Sequence, residues 1–352
     1  MQGYTLQNLS LKARKYLLTS HYLSNVKQYR ESKNEANFRP QGADLFDMFG
    51  SPEAATVTSL TKTSGIIWAT DSYDGHKENF FAPITLKNAA LITPRSEKAK
   101  AEQKKRTKDK AEVFTPSWLC NLQNNLVDDQ VLYPGAFNTG DATTKTWEAS
   151  AELIDFSKAG ALSTAPQYSW VNYLTEKRLE ITCGEGPYLM SRYDTVTGED
   201  IPVRDAQGRY QRIGVLDRKL RVVNENLADT ATQDEWSYLA LEALKATYGY
   251  EWQGDNLLLA RLNFLNTYVD YFLDRFPGNS VSDAVLEEVA EIASWQLWQM
   301  DGLKMIQPLS CDKSDDSPPC SACIKKDRTG HNGNVSVIRW GDKVISFEEL
   351  LL

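Results

Sequence analysis

Apolar residues along this chain recur at two spacings, one helical and one strand-like, and together they predict alternating helices and strands. Between residues 5 and 30, Leu6, Leu9, Leu11, Tyr16, Leu17 and Tyr22 repeat at roughly helical intervals and predict a helix. Residues 31–56 are polar and turn-rich, and Ile66, Ile67 and Trp68 predict a short strand. A charged, mostly basic stretch without glycine or proline fills 95–110 and suits a helix or a mobile linker. Pro116 is well placed for the first turn of the next helix, with Thr115 as its cap. Residues 130–170 look irregular, with aromatic residues scattered at Tyr133, Phe137, Trp147 and Trp170.

Leu179 and Ile181 belong to an apolar run that predicts a strand. It leads into Glu180-Ile181-Thr182-Cys183-Gly184-Glu185-Gly186, a tight glycine turn with a helix expected behind it. Residues 191–233 have the pattern of an inserted, turn-rich arm. The second half is more regular. Asp234 opens an amphipathic helix carrying Trp236, Leu239, Ala240, Ala243, Leu244 and Thr247 on one face, ended by Gly249. Tyr250-Glu251-Trp252 is a short strand, and a long helix runs from about 254 to 276, stopped by Pro277 and Gly278. Ser282 caps another helix, from 285 to about 292, and 295–300 leads into Asp301-Gly302-Leu303. A last short strand falls at 335–340. Strand–turn–helix units in series indicate an α/β layer architecture.

Composition narrows the picture. A length of 352 residues suggests one large domain or two. Nine tryptophans, sixteen tyrosines and 41% hydrophobic residues argue for a real core and against general disorder. The net charge of −8 means that nucleic-acid binding needs a local basic patch. No apolar run has membrane-spanning length, and the first residues lack a signal-peptide pattern, so the expectation is a soluble, cytoplasmic protein. Five cysteines, three of them near the end, do not suggest a disulfide framework.

The chemistry begins at the glycine turn. Gly184 and Gly186 can take backbone angles closed to other residues and let a ligand approach the main chain. Carboxylates nearby are acceptor-only when ionised, which suits ribose hydroxyls and an exocyclic amine better than a phosphate. Four features follow in order: Phe114-Thr115-Pro116, the glycine turn, Glu251 after a strand, and Asp301-Gly302-Leu303. That order resembles the DNA adenine N6-methyltransferases of bacterial restriction–modification systems, the modification subunits, over roughly residues 110–308. The stretch Leu258-Leu259-Ala260-Arg261-Leu262-Asn263 looks like the helix that follows the family's ribose-binding acid.

The resemblance implies a Rossmann-like class I S-adenosylmethionine-dependent methyltransferase fold. It also implies roles. Phe114, Thr115 and Pro116 close over the methionine end of S-adenosylmethionine, and Glu180, Thr182, Cys183, Gly184 and Gly186 form the turn beneath it. Glu251 binds the ribose hydroxyls and Asp301 takes the adenine amine. The implied activity is methylation of adenine N6 in double-stranded DNA, in restriction–modification or phage defence, beside a partner restriction or specificity subunit. The implied organisation is a mixed N-terminal region with a basic linker (1–110), a methyltransferase-like domain (111–308, with the arm at about 191–233), and a cysteine-bearing tail (309–352).

One departure bears on activity. The family carries Asn/Asp/Ser-Pro-Pro-Tyr/Phe/Trp after an apolar strand, to accept from the target amine and stack on the extruded base. Here the nearest match is Ser317-Pro318-Pro319-Cys320, which lacks the aromatic, and the preceding residues are polar. The catalytic residues are therefore unassigned. The alternative is a catalytically incomplete cofactor- or DNA-binding subunit whose partner chain supplies the target-base pocket. In the tail, Cys311, Cys320, Cys323 and His331 offer three thiolates and an imidazole, a set that suits tetrahedral structural zinc; the alternative is a flexible loop with free cysteines. Two basic groups are candidate DNA contacts: Lys104, Lys105, Arg106, Lys108 and Lys110 in the 95–110 run, and Arg192, Arg204, Arg209, Arg212, Arg218, Lys219 and Arg221 in the arm.

Overall fold

Ser10 accepts the Ala13 amide through its side chain and starts helix α1, Leu11–Leu17. In this computed structural model, which describes residues 3–23, 61–70, 73, 82–110, 112–159, 168–302, 335–340 and 343–346, the helix stops there. Thr19–Leu23 is extended strand β1, paired antiparallel with β2, Thr61–Gly65. Within the described part of 5–30, helical spacing thus yields only this short helix, because a distant strand draws Thr19–Leu23 into a sheet. The strand expected at Ile66-Ile67-Trp68 lies just upstream, as β2; Ile66 and Trp68 turn into the core and Ile67 bridges to Pro83.

β1 also pairs with β8, Val335–Trp340, and β8 with β9, Lys343–Ser346, in the order β2-β1-β8-β9. Strands from the regions assigned to 1–110 and 309–352 therefore share one sheet, so those sequence boundaries do not separate independent units. A two-stranded hairpin, β3 (Asn138–Asp141) with β4 (Thr146–Ala149), occupies part of the stretch expected to be irregular.

The third sheet is parallel: β5 (Arg178–Glu180), β6 (Thr247–Glu251) and β7 (Leu297–Gln299), side by side in that order. Parallel neighbours need long crossovers, usually helical. Here α5 (Val215–Asn226) and α6 (Gln233–Lys245) lie between β5 and β6, and α7 (Gly254–Arg275) and α8 (Asp283–Gln296) between β6 and β7. A reciprocal capping box, Thr232 with Glu235, opens α6. Gly249 sits inside β6 rather than ending α6, and Ser282 caps α8 as expected. Trp236 of α6 anchors the helical layer, meeting Tyr268 and Phe272 of α7 edge-on. Arg261, fully buried on α7, donates to the carbonyls of Leu17, Thr19 and Leu297 and so ties the β2-β1-β8-β9 sheet to the parallel one.

Three further helices complete the described residues: α2 (Lys100–Lys110), α3 (Ser117–Val131) and α4 (Trp170–Thr175). The architecture is mixed α/β, with small sheets among eight α-helices in the described residues. No helix among those residues is long and apolar enough to cross a membrane.

The arm is shorter than its sequence suggested. Residues 191–214 are a chain of turns with bridges at Tyr193–Asp200 and Arg204–Tyr210, but 215–226 is α5, buried from Leu216 through Asn224. Its cations misled the pattern. Arg218 meets Asp128 at 2.6 Å and also donates to Asn121 and Asn125, while Arg221 reaches Glu225 and the Phe137 carbonyl. Lys219 donates to the carbonyls of Glu176 and Ala246, and burial holds its amine well below the usual lysine range. Arg192 and Arg212 pair with Asp270, Arg204 with Asp274, and Arg209 with Asp205. Arg212, Arg218, Lys219 and Arg221 are buried among these partners, which removes them as DNA contacts, whereas Arg192, Arg204 and Arg209 are paired but partly exposed.

Candidate functional site

The site grows from the end of β5. Residues 182, 184 and 186 all have positive φ: +51° for Thr182, +56° for Gly184 and +81° for Gly186. A β-branched residue at positive φ stores strain on the order of 1–3 kcal/mol and persists only where its surroundings enforce it. At Gly186 the φ of +81° is what favours glycine, since the nearest atom to a Cβ there, Met190 Cε at 2.5 Å, is the movable end of a flexible side chain.

No helix follows the turn directly. The amides of Leu189 and Met190 fold back onto the Gly186 carbonyl, and the helix that does come, α5, begins only after the arm. The first amides of α5, Val215 and Leu216, donate to the carbonyls of Tyr188 and Leu189. The helix N-terminus is thus spent on the protein rather than aimed at a ligand. The amides of Tyr188 and Leu189 instead face the Glu180 carboxylate. Burial pushes Glu180 well above the usual carboxylate range against those two amides, with neighbouring Glu251 adding to the rise. Its Oε2 is sealed and has no hydrogen-bond partner among the described residues.

Strand register brings the acids together. Glu180 pairs with Gly249 and Glu251 with Gln299, so Glu251 and Asp301 each stand two residues past a strand partner at the carboxyl ends. Glu251 Oε2 accepts from the Gly184 amide at 2.9 Å and Oε1 from the Gln253 amide at 3.0 Å. Burial raises Glu251 to about 7; the two amides oppose the rise, and Asp255 and Glu112 add to it. Asp301 is buried to 8% exposure beside Tyr250, whose ring also covers Gly302. Cys183 tucks against Gly249, and burial drives its thiol well above the usual range, so it is a packing residue and not a nucleophile.

Phe114 closes the arrangement. Its ring lies 3.4 Å from where a Cβ on Gly184 would sit, and Arg95 stacks over it at 5.1 Å. Pro116 leads into α3, but Thr115 does not cap it. The first amide of α3, Ser117, donates to Asp194 of the arm at 2.7 Å, and Thr195 donates to the Thr115 carbonyl. A remote carboxylate wins because the turn at 194–197 points it at the helix start. On the other flank, Asn263 of α7 donates to the Glu185 carbonyl, so the helix after Glu251 grips the glycine turn.

The sequence reading overlooked a buried ionic cluster under Phe114. Glu112 Oε2 accepts from Arg106, Gln253 and Asn256, while Arg106 also reaches Asp255 at 2.9 Å. Arg106 is therefore core, unlike the other cations of its helix, and it leaves the set of candidate DNA contacts. Its position on α2 faces away from the lysines at 100, 104 and 108, and that helical offset was the available signal.

Short distances join Phe114 to Gly184 and Gly184 to Glu251, with Glu180 near Glu251; Thr115 and Pro116 precede α3, Thr182, Cys183 and Gly186 lie on the same turn, and Asp301 follows the neighbouring strand. Cys311, Cys320, Cys323, His331 and the Ser317-Pro318-Pro319-Cys320 stretch lie outside the described residues. Within the described residues, no group of three or more His, Cys, Asp or Glu is placed to hold a metal ion. No protein-family model, curated protein or solved structure matches the chain.

Proposed function

We propose that this chain is an S-adenosylmethionine-dependent DNA adenine N6-methyltransferase-like subunit of a restriction–modification or phage-defence system, built on a Rossmann-like half-sheet. The observation that carries the proposal is the order of three adjacent parallel strands, each ending in or followed by a turn or acid that we assign to a nucleoside site. A strained glycine turn follows the first, Glu251 ends the second, and Asp301 follows the third. Open α/β sheets bind ligands at the carboxyl ends of their strands.

The donor and acceptor chemistry fits S-adenosylmethionine. Glu251 has one amide on each oxygen, which leaves lone pairs for two ribose hydroxyls. Asp301 provides an acceptor for an exocyclic amine. When bound, the cofactor supplies an electrophilic methyl group. The protein's own part is to hold and align it and to exclude water, and Phe114 performs the exclusion by lying on the turn.

Thermal-shift titration with S-adenosylmethionine tests cofactor binding, since a ligand that prefers the folded state raises the unfolding temperature by mass action. Absence of any shift at millimolar ligand rejects the proposal. Phe114→Ala separates a closing ring from a blocking one: weaker binding supports closure, and tighter binding means that the ring merely fills the site.

A second reading has its own observation. Among the described residues β5 is an outer strand, its Leu179 and the following Ile181 are 36% and 64% exposed, and the chain has no Asn-Pro-Pro-Tyr. In this reading the chain holds cofactor or DNA, and a strand of a partner subunit completes the sheet and supplies the target-base pocket. A single-turnover methyl-transfer assay on adenine-containing duplex DNA decides between them: transfer by the isolated chain excludes the second reading, and cofactor binding without transfer favours it.

A further inference from the structure

The strongest unassigned feature is an open groove of about 370 Å³ along α2, lined by Arg95, Lys100, Gln103, Lys104, Thr107 and Lys108. Lys100, Lys104 and Lys108 recur every four residues, so they form one ridge on the helix surface, and the ridge extends about 12 Å. All three are exposed, and none has an ion-pair partner among the described residues. Like charges at this spacing cost a helix a few tenths of a kcal/mol per pair, so the ridge is an expense to folding rather than a support. The contrast within the helix is sharp: Arg106, on the opposite face, is fully neutralised by Glu112 and Asp255.

The groove is also fixed relative to the glycine turn. Glu185, the residue between Gly184 and Gly186, is fully buried, and its Oε1 accepts from the Arg95 amide at 2.7 Å. Tyr193 holds the other oxygen at 2.6 Å. Gln103 then fastens α2 to the same segment through the carbonyls of Arg95 and Lys98. A short rigid path therefore joins the cationic ridge to the main-chain bend, with the Arg95 guanidinium stacked on Phe114 between them.

From this geometry we infer that the α2 groove holds the phosphodiester backbone of duplex DNA beside the glycine-turn site; the inference rests on the methyltransferase-like reading above for its choice of nucleic acid. A 12 Å ridge spans roughly three to four phosphates of one strand along the duplex axis. Lys100, Lys104 and Lys108 contact them as point charges, independent of base sequence, and thereby set the position of the duplex rather than its specificity.

The test is DNA binding by the full chain, read by fluorescence anisotropy on a short duplex across a salt series. The triple substitution Lys100→Ala, Lys104→Ala and Lys108→Ala is expected to weaken binding by about tenfold or more and to reduce the log–log salt slope by about 2–3. Lys158→Ala, an exposed lysine outside the groove, serves as the control and leaves both unchanged. Circular dichroism of the triple variant checks that it folds, and the single variant Lys104→Glu provides a second reading of the same site. Unchanged affinity and slope in both variants overturn the inference, as does an absence of DNA binding by the wild type or a preference for duplex RNA. Groove-dependent DNA binding without any thermal shift by S-adenosylmethionine leaves the groove standing and removes the cofactor; a shift without groove dependence does the reverse.

Discussion

Helices α2 and α5 carry similar basic runs, and from the sequence both were candidates for touching DNA. Their structural fates are opposite. In α5, Arg218, Lys219 and Arg221 are each no more than 3% exposed, and each has partners that satisfy it: Asp128 with two asparagines, two backbone carbonyls, and Glu225 with a carbonyl. In α2, Lys100, Lys104 and Lys108 stand in solvent without an ion pair among the described residues. Counting charge along a chain does not distinguish these cases, because partners come from remote segments. A buried cation is a commitment of the fold, whereas an unpaired exposed row is available to a ligand.

The largest expected effect comes from removing a committed charge. Arg218→Ala removes the nearer of the two cations on buried Asp128, leaving Arg178 at 3.2 Å, and is expected to destabilise the protein by about 3 kcal/mol in denaturant unfolding. A loss below 1 kcal/mol breaks the distinction drawn between the two helices. Next in size is a buried charge with no cation in contact. Glu251 has its value raised from 4.5 to about 7. Between those two pH values the unfolded chain has released a proton that the folded chain retains, so stability falls as pH rises across that window. The fall amounts to at most about 3 kcal/mol and levels off above pH 7. Glu251→Gln is expected to flatten this slope in urea melts taken from pH 4 to pH 8.

The same titration reaches the ligand. If ribose hydroxyls need the ionised carboxylate, affinity for S-adenosylmethionine rises about tenfold between roughly pH 6 and pH 8, as the charged fraction of a group titrating near 7 changes. Calorimetry on wild type and Glu251→Gln checks this, and an equal pH dependence in both removes Glu251 from the ligand. The smallest effect belongs to the exposed row: Lys104→Ala is expected to change stability by less than about 0.5 kcal/mol. A larger loss shows that the lysine has a structural partner and brings α2 closer to α5 in kind.

How much of this was legible in the sequence depended on where the deciding partner lay. The helices at 233–245, 254–275 and 283–296 were legible because their own periodicity and caps define them. The glycine turn, Glu251 and Asp301 were legible as an ordered series, and strand register then explains how residues so far apart meet. Helix α5 is strongly amphipathic, but its cluster of cations directly after a turn-rich stretch made it read as part of the arm. Thr115 looked like a cap until Asp194 took that place from another segment. The Arg106–Glu112–Asp255 cluster was hidden for the same reason, since Asp255 comes from a helix far along the chain.

The sheet β2-β1-β8-β9 sets the timing of folding as well as its shape. Tyr22 is paired with Lys62 on one side and Ser336 on the other, so β1 leaves the ribosome roughly 300 residues before its second neighbour, β8, exists. Closing so long a loop is slow, and the waiting edge is open to wrong pairing in the meantime. The nascent chain therefore has reason to dock α1 onto α8 first, through Ser10 and Lys12 on Glu287, and to finish its first sheet last.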